Sequence, residues 1–263
     1  MSVFQMDGNR LVFHYDAEKL WIDPWGDNSF RVRATKQAEM PTEDWALLKV
    51  EEKSPSQAVL EEHQASITNG NIKAVISRYG KMTFYNQKGE VLLEEYLRNR
   101  LDVFADYCSA LEIEAREFCP IPGGDYRLTM RFVSNPAEKI YGMGQYQQEF
   151  LNIKNCSLEL AQRNSQVSVP FYVSSIGYGF LWNNPAVGRV TFGINGTEWL
   201  AECTKELDYL VIAGDTPAEI EETYMGLVGK APMMPDYGMG FWQCKLRYQT
   251  QEQLLAVARN YKS

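Results

Sequence analysis

The sequence predicts a mainly β protein whose first part is an antiparallel β-sandwich, and two observations support that prediction. From residue 1 to about 212, short apolar or alternating segments are separated by turn residues, with almost no helical periodicity. Two segments, "SITNGNIKAVI" and "MTFYNQKGEVLL", carry hairpin signals because β-prone runs flank Asn-Gly and Asn-Gln-Lys-Gly. Many strands at short spacing favour antiparallel sheets packed face to face.

The predicted strands follow one another along the sequence. Alternating apolar and polar residues place one face of a strand in a core, because successive side chains point to opposite sides of the sheet. The segments are "RLVFHY", "SFRVRAT", "ASITNGNIKAVIS", "KMTFYNQKGEVLLEE", "DYRLTMRFV", "VPFYVSS", "GYGFLWNN", "GRVTFGI", "TEWLAEC" and "LDYLVIAG".

The pattern changes at Asp215, where a short helix is predicted. Residues 216–219, Thr-Pro-Ala-Glu, supply a capping residue, a proline at the first helical position and a glutamate three residues after the cap. Gly229 then ends the helix. Between these two ends, one apolar stripe at helical spacing is formed by Ile220, Tyr224, Leu227 and Val228.

The last segment predicts a different architecture. After "KAPMMPDY", a proline-rich crossing typical of a domain boundary, "GMGFWQC" predicts a continuous buried strand. Thr250 and Gln253 predict the start of a second helix, with apolar positions Leu254, Leu255, Val257, Ala258 and Tyr261. Strand, loop and capped helix form the opening βα unit of an α/β architecture. The predicted domains are therefore residues 1–230 and 231–263, and we expect the second to pack on the sandwich or lie partly exposed.

Composition excludes several classes of function. The net charge is −8, from 34 acidic and 26 basic side chains without a long basic run, which argues against nucleic-acid binding. No segment approaches the roughly 20 apolar residues of a membrane-spanning helix. Because the first 20 residues lack the apolar centre of a signal peptide, we expect a cytoplasmic location.

The cysteines and histidines predict neither disulfides nor a metal site. The cysteines are odd in number, widely spaced and without a C-x-x-C pair, which is typical of buried free thiols in a reducing compartment. His14 and His63 have no second metal ligand nearby, so we expect no zinc and no other cofactor. The five cysteines are Cys108, Cys119, Cys156, Cys203 and Cys244.

No catalytic constellation emerges from the residues alone. The sequence contains no G-x-S-x-G, phosphate loop, H-E-x-x-H or dinucleotide fingerprint. The acidic segments "LEEYLRNR" and "LEIEARE" are interpreted as solvated strand or helix edges. Aromatic residues crowd the second half and suit the apolar faces of sugars, although a place in the sandwich core is the favoured interpretation of each one. They are Trp182, Trp199, Trp242, Tyr141, Tyr146, Tyr172, Tyr178, Tyr237 and Tyr248.

Several ordered motifs resemble glycoside hydrolase family 31, and its α-xylosidase-like branch in particular. They are "YGMGQ" at 141–145, "VPFYVSSIGYGFLWNNP" at 169–185, "LDYLVIAGDTPAEIEETYMGLVGKAPMMPDYGMGFWQCKLRY" at 207–248 and "TQEQLLAVARNYK". The resemblance implies a galactose-mutarotase-like sandwich followed by an incomplete (β/α)8 barrel, with "GFWQC" as its first strand.

The resemblance also implies a reaction, retaining hydrolysis of terminal α-linked xylose or glucose from oligosaccharides by an aspartate nucleophile and an aspartate acid/base. Both belong to later barrel strands than the one matched here, so no residue is assigned a catalytic role and residues 1–263 alone are expected to be inactive.

The residues carried over from the resemblance lie at the border of the sugar pocket. Gln162, Arg163 and Asn164 belong to a sandwich loop that reaches over the barrel mouth. Trp242, Lys245, Leu246 and Arg247 belong to the first barrel strand and the loop after it. A solvated or interface loop is an equally good interpretation of each set.

Two other function classes stay open. The protein can be a freestanding carbohydrate-binding sandwich without catalysis. It can also be an interaction protein that pairs with a separately encoded barrel half, or with itself, through an apolar patch around Trp242 and residues 254–261.

Overall fold

The computed structural model describes residues 3–44, 46–50, 56–101 and 109–262. The protein divides into two compact units, Met1–Gly229 and Lys230–Ser263. Among the described residues, no helix has the length and apolar character needed to cross a bilayer.

The first unit is built from antiparallel strands, as predicted. Its described strands are β1 (Phe4–Asp7), β2 (Arg10–Tyr15), β3 (Glu18–Pro24), β4 (Ser29–Thr35), β5 (Gln57–Leu60), β6 (Gln64–Asn69), β7 (Ile72–Ser77), β8 (Met82–Asn86), β9 (Val91–Glu94), β10 (Arg116–Pro120), β11 (Tyr126–Phe132), β12 (Ile140–Gln145), β13 (Ser157–Leu160), β14 (Val167–Ser174), β15 (Tyr178–Trp182), β16 (Gly188–Phe192), β17 (Thr197–Thr204) and β18 (Leu207–Ala213).

The strands form three antiparallel sheets within the described residues. One has eight strands in the order β1-β2-β3-β4-β18-β15-β14-β12, and two have five strands each, β10-β11-β17-β16-β13 and β5-β6-β7-β8-β9. Both predicted hairpins are present. β6 pairs with β7 around Gly70 and Asn71, and β8 pairs with β9. The mainly β prediction is confirmed.

Aliphatic and aromatic residues from all three sheets form one core. Trp182 and Trp199 are stacked with ring centroids 5.3 Å apart, and both are fully buried. β18 lies in the middle of the eight-stranded sheet, and all seven of its residues are buried, so both of its faces are covered. Tyr209 faces the aromatic core, whereas Leu210 faces the helix that follows the strand.

That helix, α1 (Pro217–Val228), confirms its predicted start and end. The Thr216 hydroxyl accepts the Glu219 N–H at 3.3 Å, and the Glu219 carboxylate accepts the Asp215 N–H at 2.9 Å. These bonds satisfy donors that a helix start would otherwise leave unpaired. Ile220 and Leu227 are buried against the sheet. Local sequence therefore fixes this element almost completely.

Two acidic segments interpreted as solvated edges contain buried charge instead. Glu95 of "LEEYLRNR" is fully buried, and the side chain of Arg116 in "LEIEARE" is 5% exposed. The two form an ion pair, and Arg116 also pairs with Glu18 at 2.5 Å. The interpretation was wrong for these two residues, because sequence does not show which charges find a buried partner, whereas Glu112 and Glu114 are exposed as expected.

The prediction of buried thiols is also wrong for most of the described cysteines. Cys119, Cys203 and Cys244 are exposed and Cys156 is half-buried, although all four are free. Cys119 and Cys203 lie near the ends of β10 and β17, where the strands leave the core. Cys108 lies outside the described residues.

The second unit contains the predicted helix but not the predicted strand. A 3-10 helix covers Asp236–Met239, and α2 covers Gln251–Lys262. Residues 241–244 of the predicted strand have no regular secondary structure, and Phe241 is 77% exposed. A parallel strand is stabilised by neighbouring strands and by helices on both faces, and none of the described residues of this unit supplies them.

Candidate functional site

The turn at residues 161–166 connects two sheets of the sandwich. It runs from β13, in a five-stranded sheet, to β14, in the eight-stranded sheet. An isolated bridge joins Arg163 to Gln166, and Ser165 has a φ of 68°, in the left-handed region. The turn is therefore a short closed structure rather than an extended loop.

Two of the three candidate residues in this turn are engaged in holding it. The Gln162 side-chain amide donates to the Ser168 carbonyl at 2.8 Å and accepts the Ser168 N–H at 3.0 Å. The Arg163 guanidinium donates twice to the Glu159 carboxylate, at 3.0 and 2.6 Å. Asn164 is exposed, and its side chain has no hydrogen-bond partner among the described residues. Asn164 is thus the member of the set whose amide is available to a ligand.

Tyr146 holds the same turn, a role that sequence reasoning did not assign to it. Its hydroxyl lies 2.8 Å from the Glu159 carbonyl and 2.8 Å from the Ser168 hydroxyl. Burial raises the pKa of Tyr146, so the phenol stays protonated and able to donate. The only sequence signal was its position directly after "YGMGQ", since a tyrosine in a β protein is more commonly a core residue.

The "YGMGQ" segment is a β-bulge that positions Tyr146. Gly142, Met143 and Gly144 have φ values of 119°, 70° and 90°, and the β12–β14 register shifts between the two glycines. Beyond the shift, Gly144 pairs with Ser168. Such bulges redirect a strand and its side chains. Here the bulge carries the backbone from the sheet edge to the base of the turn.

A cavity of about 280 Å³ lies at the same end of the eight-stranded sheet as this turn, since β14 begins and β15 ends there. Its walls include Asn183, Asn184, Glu206 and Asp208. Burial, followed by the nearby Asp208 carboxylate, raises the pKa of Glu206 to about 7. No donor among the described residues reaches the buried Oε2 atom of Glu206. The Glu206 carboxyl on the cavity wall therefore becomes negatively charged as the pH rises through neutrality.

We expect Glu206→Gln to stabilise the protein above neutral pH and to have little effect in acid. The folded pKa lies above the ordinary value of 4.5, so the native state favours the protonated carboxyl. The parent protein therefore loses stability as the pH rises from about 4.5 to about 7, whereas the glutamine variant does not. Urea unfolding across this pH range measures the difference. An equal difference at all pH values would contradict the assignment.

Most aromatic candidates in the sandwich belong to its core. Trp182, Trp199, Tyr172 and Tyr178 are buried, which matches the core interpretation given for them and excludes a role as open sugar platforms. In the second unit, Trp242 is 74% exposed and its indole N–H donates to the Gly238 carbonyl at 2.9 Å.

The other candidate residues of the second unit are also on its surface. Lys245 and Arg247 are exposed, and Leu246 is 96% exposed. The Lys245 ammonium lies 5.7 Å from the centre of the Tyr248 ring, within reach of a weak cation–π contact. The segment thus presents an indole, an ammonium and a guanidinium, which are groups that bind sugar faces and hydroxyls.

No cluster of three or more metal-ligating side chains occurs among the described residues. The two candidate sets lie in different units, Gln162 to Asn164 in the first and Trp242 to Arg247 in the second. Each set can position and bind, but neither contains a facing pair of carboxyls.

Comparisons with known proteins give the context of these sets. Residues 19–190 match the glycosyl hydrolase 31 N-terminal galactose mutarotase-like domain. A Pseudescherichia vulneris protein named uncharacterized family 31 glucosidase ORF2 is 46% identical over 99% of this sequence, and α-xylosidase A of Aspergillus niger is 28% identical over 99%. The 263 residues span 51% and 37% of the lengths of these two relatives.

Solved structures agree with the sequence relatives. A GH31 α-xylosidase from a soil metagenome, complexed with xylose, has a TM-score of 0.90 and 54% identity over 98% of this protein and 39% of its own length. A xylosidase from Aspergillus niger has a TM-score of 0.77 and 26% identity over 97% of this protein and 37% of its own length. The sandwich, the match over residues 19–190 and these relatives together show that the protein belongs to glycoside hydrolase family 31.

Proposed function

We propose that residues 1–263 form the amino-terminal sandwich and adjoining segment of a retaining α-glycosidase most like an α-xylosidase. Its substrates are oligosaccharides that carry terminal α-linked xylose or glucose. The observation that supports this most strongly is the likeness to the soil-metagenome α-xylosidase, which extends over nearly all of the 263 residues.

In this proposal, which rests on the resemblance to the family, the turn at 161–166 in the first unit and the segment at 242–247 in the second unit are each sugar-contacting segments of the complete enzyme. Asn164 donates to a sugar hydroxyl, while Gln162, Arg163 and Tyr146 keep the turn in place. In the second unit, the indole of Trp242 supplies an apolar platform. The side chains of Lys245, Leu246 and Arg247 are exposed in the same segment and are available to a sugar.

Bond cleavage requires groups that the candidate sets do not supply. Retaining hydrolysis uses two carboxyls about 5–5.5 Å apart, one as nucleophile and one as acid/base. By resemblance these are aspartates on later barrel strands. We therefore expect residues 1–263 by themselves to give no turnover of aryl α-xyloside or α-glucoside, and robust turnover by the purified protein would contradict the proposal.

A carbohydrate-binding sandwich without catalysis is the second candidate function. The exposed amide of Asn164, which has no partner among the described residues, favours it because the turn is held by hydrogen bonds and preorganised polar groups bind ligands at lower entropic cost. Calorimetric titration of the protein with xylo- and gluco-oligosaccharides separates the two candidates. Binding that is lost in Asn164→Ala would favour the module, and absence of heat would favour a part of a larger enzyme.

The second unit supports a proposal about partners. Phe241, Trp242, Leu246 and Leu254 are between 50% and 96% exposed, and large apolar side chains exposed along one short segment commonly mark an interface. We expect the protein to self-associate, or to bind a separate barrel portion, through residues 230–263. Sedimentation should show oligomers that Leu246→Glu weakens, and a monomer at high concentration would contradict self-association.

A cytoplasmic location stays a prediction.

A further inference from the structure

The dipeptide Asn-Gly occurs at residues 69–70 and 195–196, and the structure holds the two copies very differently. At Asn-Gly the glycine backbone nitrogen can attack the carbonyl carbon of the asparagine carboxamide, because no Cβ shields that nitrogen. A new bond between these two atoms closes a succinimide ring. The bond from the same carbon to the carboxamide nitrogen breaks, and that nitrogen leaves as ammonia after taking up a proton. Water then opens the ring to aspartate or isoaspartate, so the reaction consumes only water.

Asn195 meets the conditions for this reaction. It lies in the four-residue turn, residues 193–196, that joins β16 to β17, and it is exposed. Among the described residues, neither its side-chain amide nor the Gly196 N–H has a hydrogen-bond partner. The carboxamide can therefore rotate towards the Gly196 nitrogen, and water can reach the ring that forms.

Asn69 has the same neighbour but a fixed side chain. Its amide nitrogen donates to the Gly26 and Ser29 carbonyls, both at 2.8 Å. The Asn28 side-chain oxygen occupies the space that a Cβ of residue 70 would take, and it accepts the Asn71 N–H at 2.8 Å. Ring closure at Asn69 requires these bonds to break first, which means local opening of the β6–β7 turn.

We propose that Asn195 is a site of spontaneous deamidation and that the fold protects Asn69. Each event at Asn195 adds one negative charge to a protein of net charge −8. The isoaspartate product also adds a methylene group to the backbone of the β16–β17 turn. Preparations of this protein therefore become mixtures at one defined turn.

The test is to incubate the folded protein in mildly alkaline buffer and to follow both dipeptides by peptide mass spectrometry, with isoaspartyl methyltransferase labelling. We expect deamidation at Asn195 to be at least about tenfold faster than at Asn69, the rate ratio that corresponds to a barrier difference of about 1.4 kcal/mol. In urea, where both turns are open, the two rates should converge. Equal rates in the folded protein, or a faster rate at Asn69, would overturn the proposal.

Two variants sharpen the test. Gly196→Ala should slow the reaction at Asn195, and the fold accommodates it because the added Cβ would lie 3.5 Å from the Phe132 carbonyl oxygen, an ordinary contact. Asn28→Gly keeps the left-handed backbone of residue 28, whose φ is 55°, but removes the carboxamide beside Gly70. It should speed the reaction at Asn69 and leave Asn195 unchanged. Failure of both variants to alter the rates would also count against the proposal.

Discussion

Replacing Arg116 with methionine is expected to lower the free energy of unfolding of the sandwich by about 3–5 kcal/mol, the usual cost of removing one partner of a buried ion pair. The Arg116 side chain is 5% exposed, and its partner Glu95 is fully buried. Methionine fills similar volume without charge. The variant would therefore retain most of the packing and lose the electrostatic compensation.

The contacts of Arg116 explain why the loss would be large. Its guanidinium donates to Glu95, to Glu18 at 2.5 Å and to the Gly80 carbonyl at 2.8 Å. Tyr209, in the middle of the eight-stranded sheet, donates to the same Glu95 carboxylate at 3.2 Å. One cation thus joins groups from separate sheets, and its removal leaves Glu95 with a buried charge.

A matched control and a pH dependence make this prediction specific. Arg127→Met removes an exposed pair with Glu202, about half exposed on both sides, and should cost no more than about 1 kcal/mol. Burial raises the pKa of Glu95, and Arg116 opposes that rise. Without Arg116 the native pKa rises further, so the variant gains stability as the pH falls towards the unfolded pKa. Urea unfolding should show that the stability difference between the parent protein and Arg116→Met is largest at neutral pH. Equal costs for Arg116→Met and Arg127→Met would contradict this view.

The sequence predicts the elements whose determinants are local. α1 was bounded correctly because Thr216 and Glu219 act at its start and Gly229 acts at its end, each within a few residues of the terminus that it determines. The hairpins followed for the same reason, since turn residues and flanking β-prone runs are adjacent in the sequence. Buried charge depends instead on distant partners. Arg31 and Asp208 pair at 2.6 Å across 177 residues, and nothing in either local sequence indicates the other.

The predicted strand at 238–244 shows the opposite limit. Its apolar composition is typical of a buried parallel strand. Composition indicates that the segment requires apolar neighbours, but it does not show that those neighbours are present. Among the described residues of the second unit no strand pairs with it, and Trp242 is 74% exposed. A pattern of this kind predicts a strand only where the neighbouring strands are also present.

The resemblance located the candidate turn in the sequence, but the role of each residue within the turn became clear only from the structure. Gln162, Arg163 and Asn164 are equivalent polar residues in the sequence. In the structure the first two are hydrogen-bonded within the protein and only the third is free among the described residues. The support from Tyr146 was not predictable, because it depends on the geometry of the preceding bulge.

Gly144 lies in that bulge, and we expect Gly144→Ala to lower the free energy of unfolding by about 3 kcal/mol. Gly144 has a φ of 90°, which residues with a Cβ rarely adopt. A Cβ at this position would meet the Val169 backbone nitrogen at 2.8 Å and approach the Val167 carbonyl oxygen still more closely. Since both contacts are backbone atoms of the paired strand β14, neither can move aside without disrupting the ladder.

The control is Gly226→Ala, in the same protein but in the interior of α1. A Cβ at Gly226 meets nothing within 4 Å, so the change should stabilise the protein by about 0.5–1 kcal/mol through the lower conformational entropy of the unfolded state. Thermal and urea unfolding of both variants should therefore give shifts of opposite sign. If Gly144→Ala instead left stability unchanged, the bulge would be able to relax without cost, and it could not be the feature that fixes Tyr146 and the turn at 161–166.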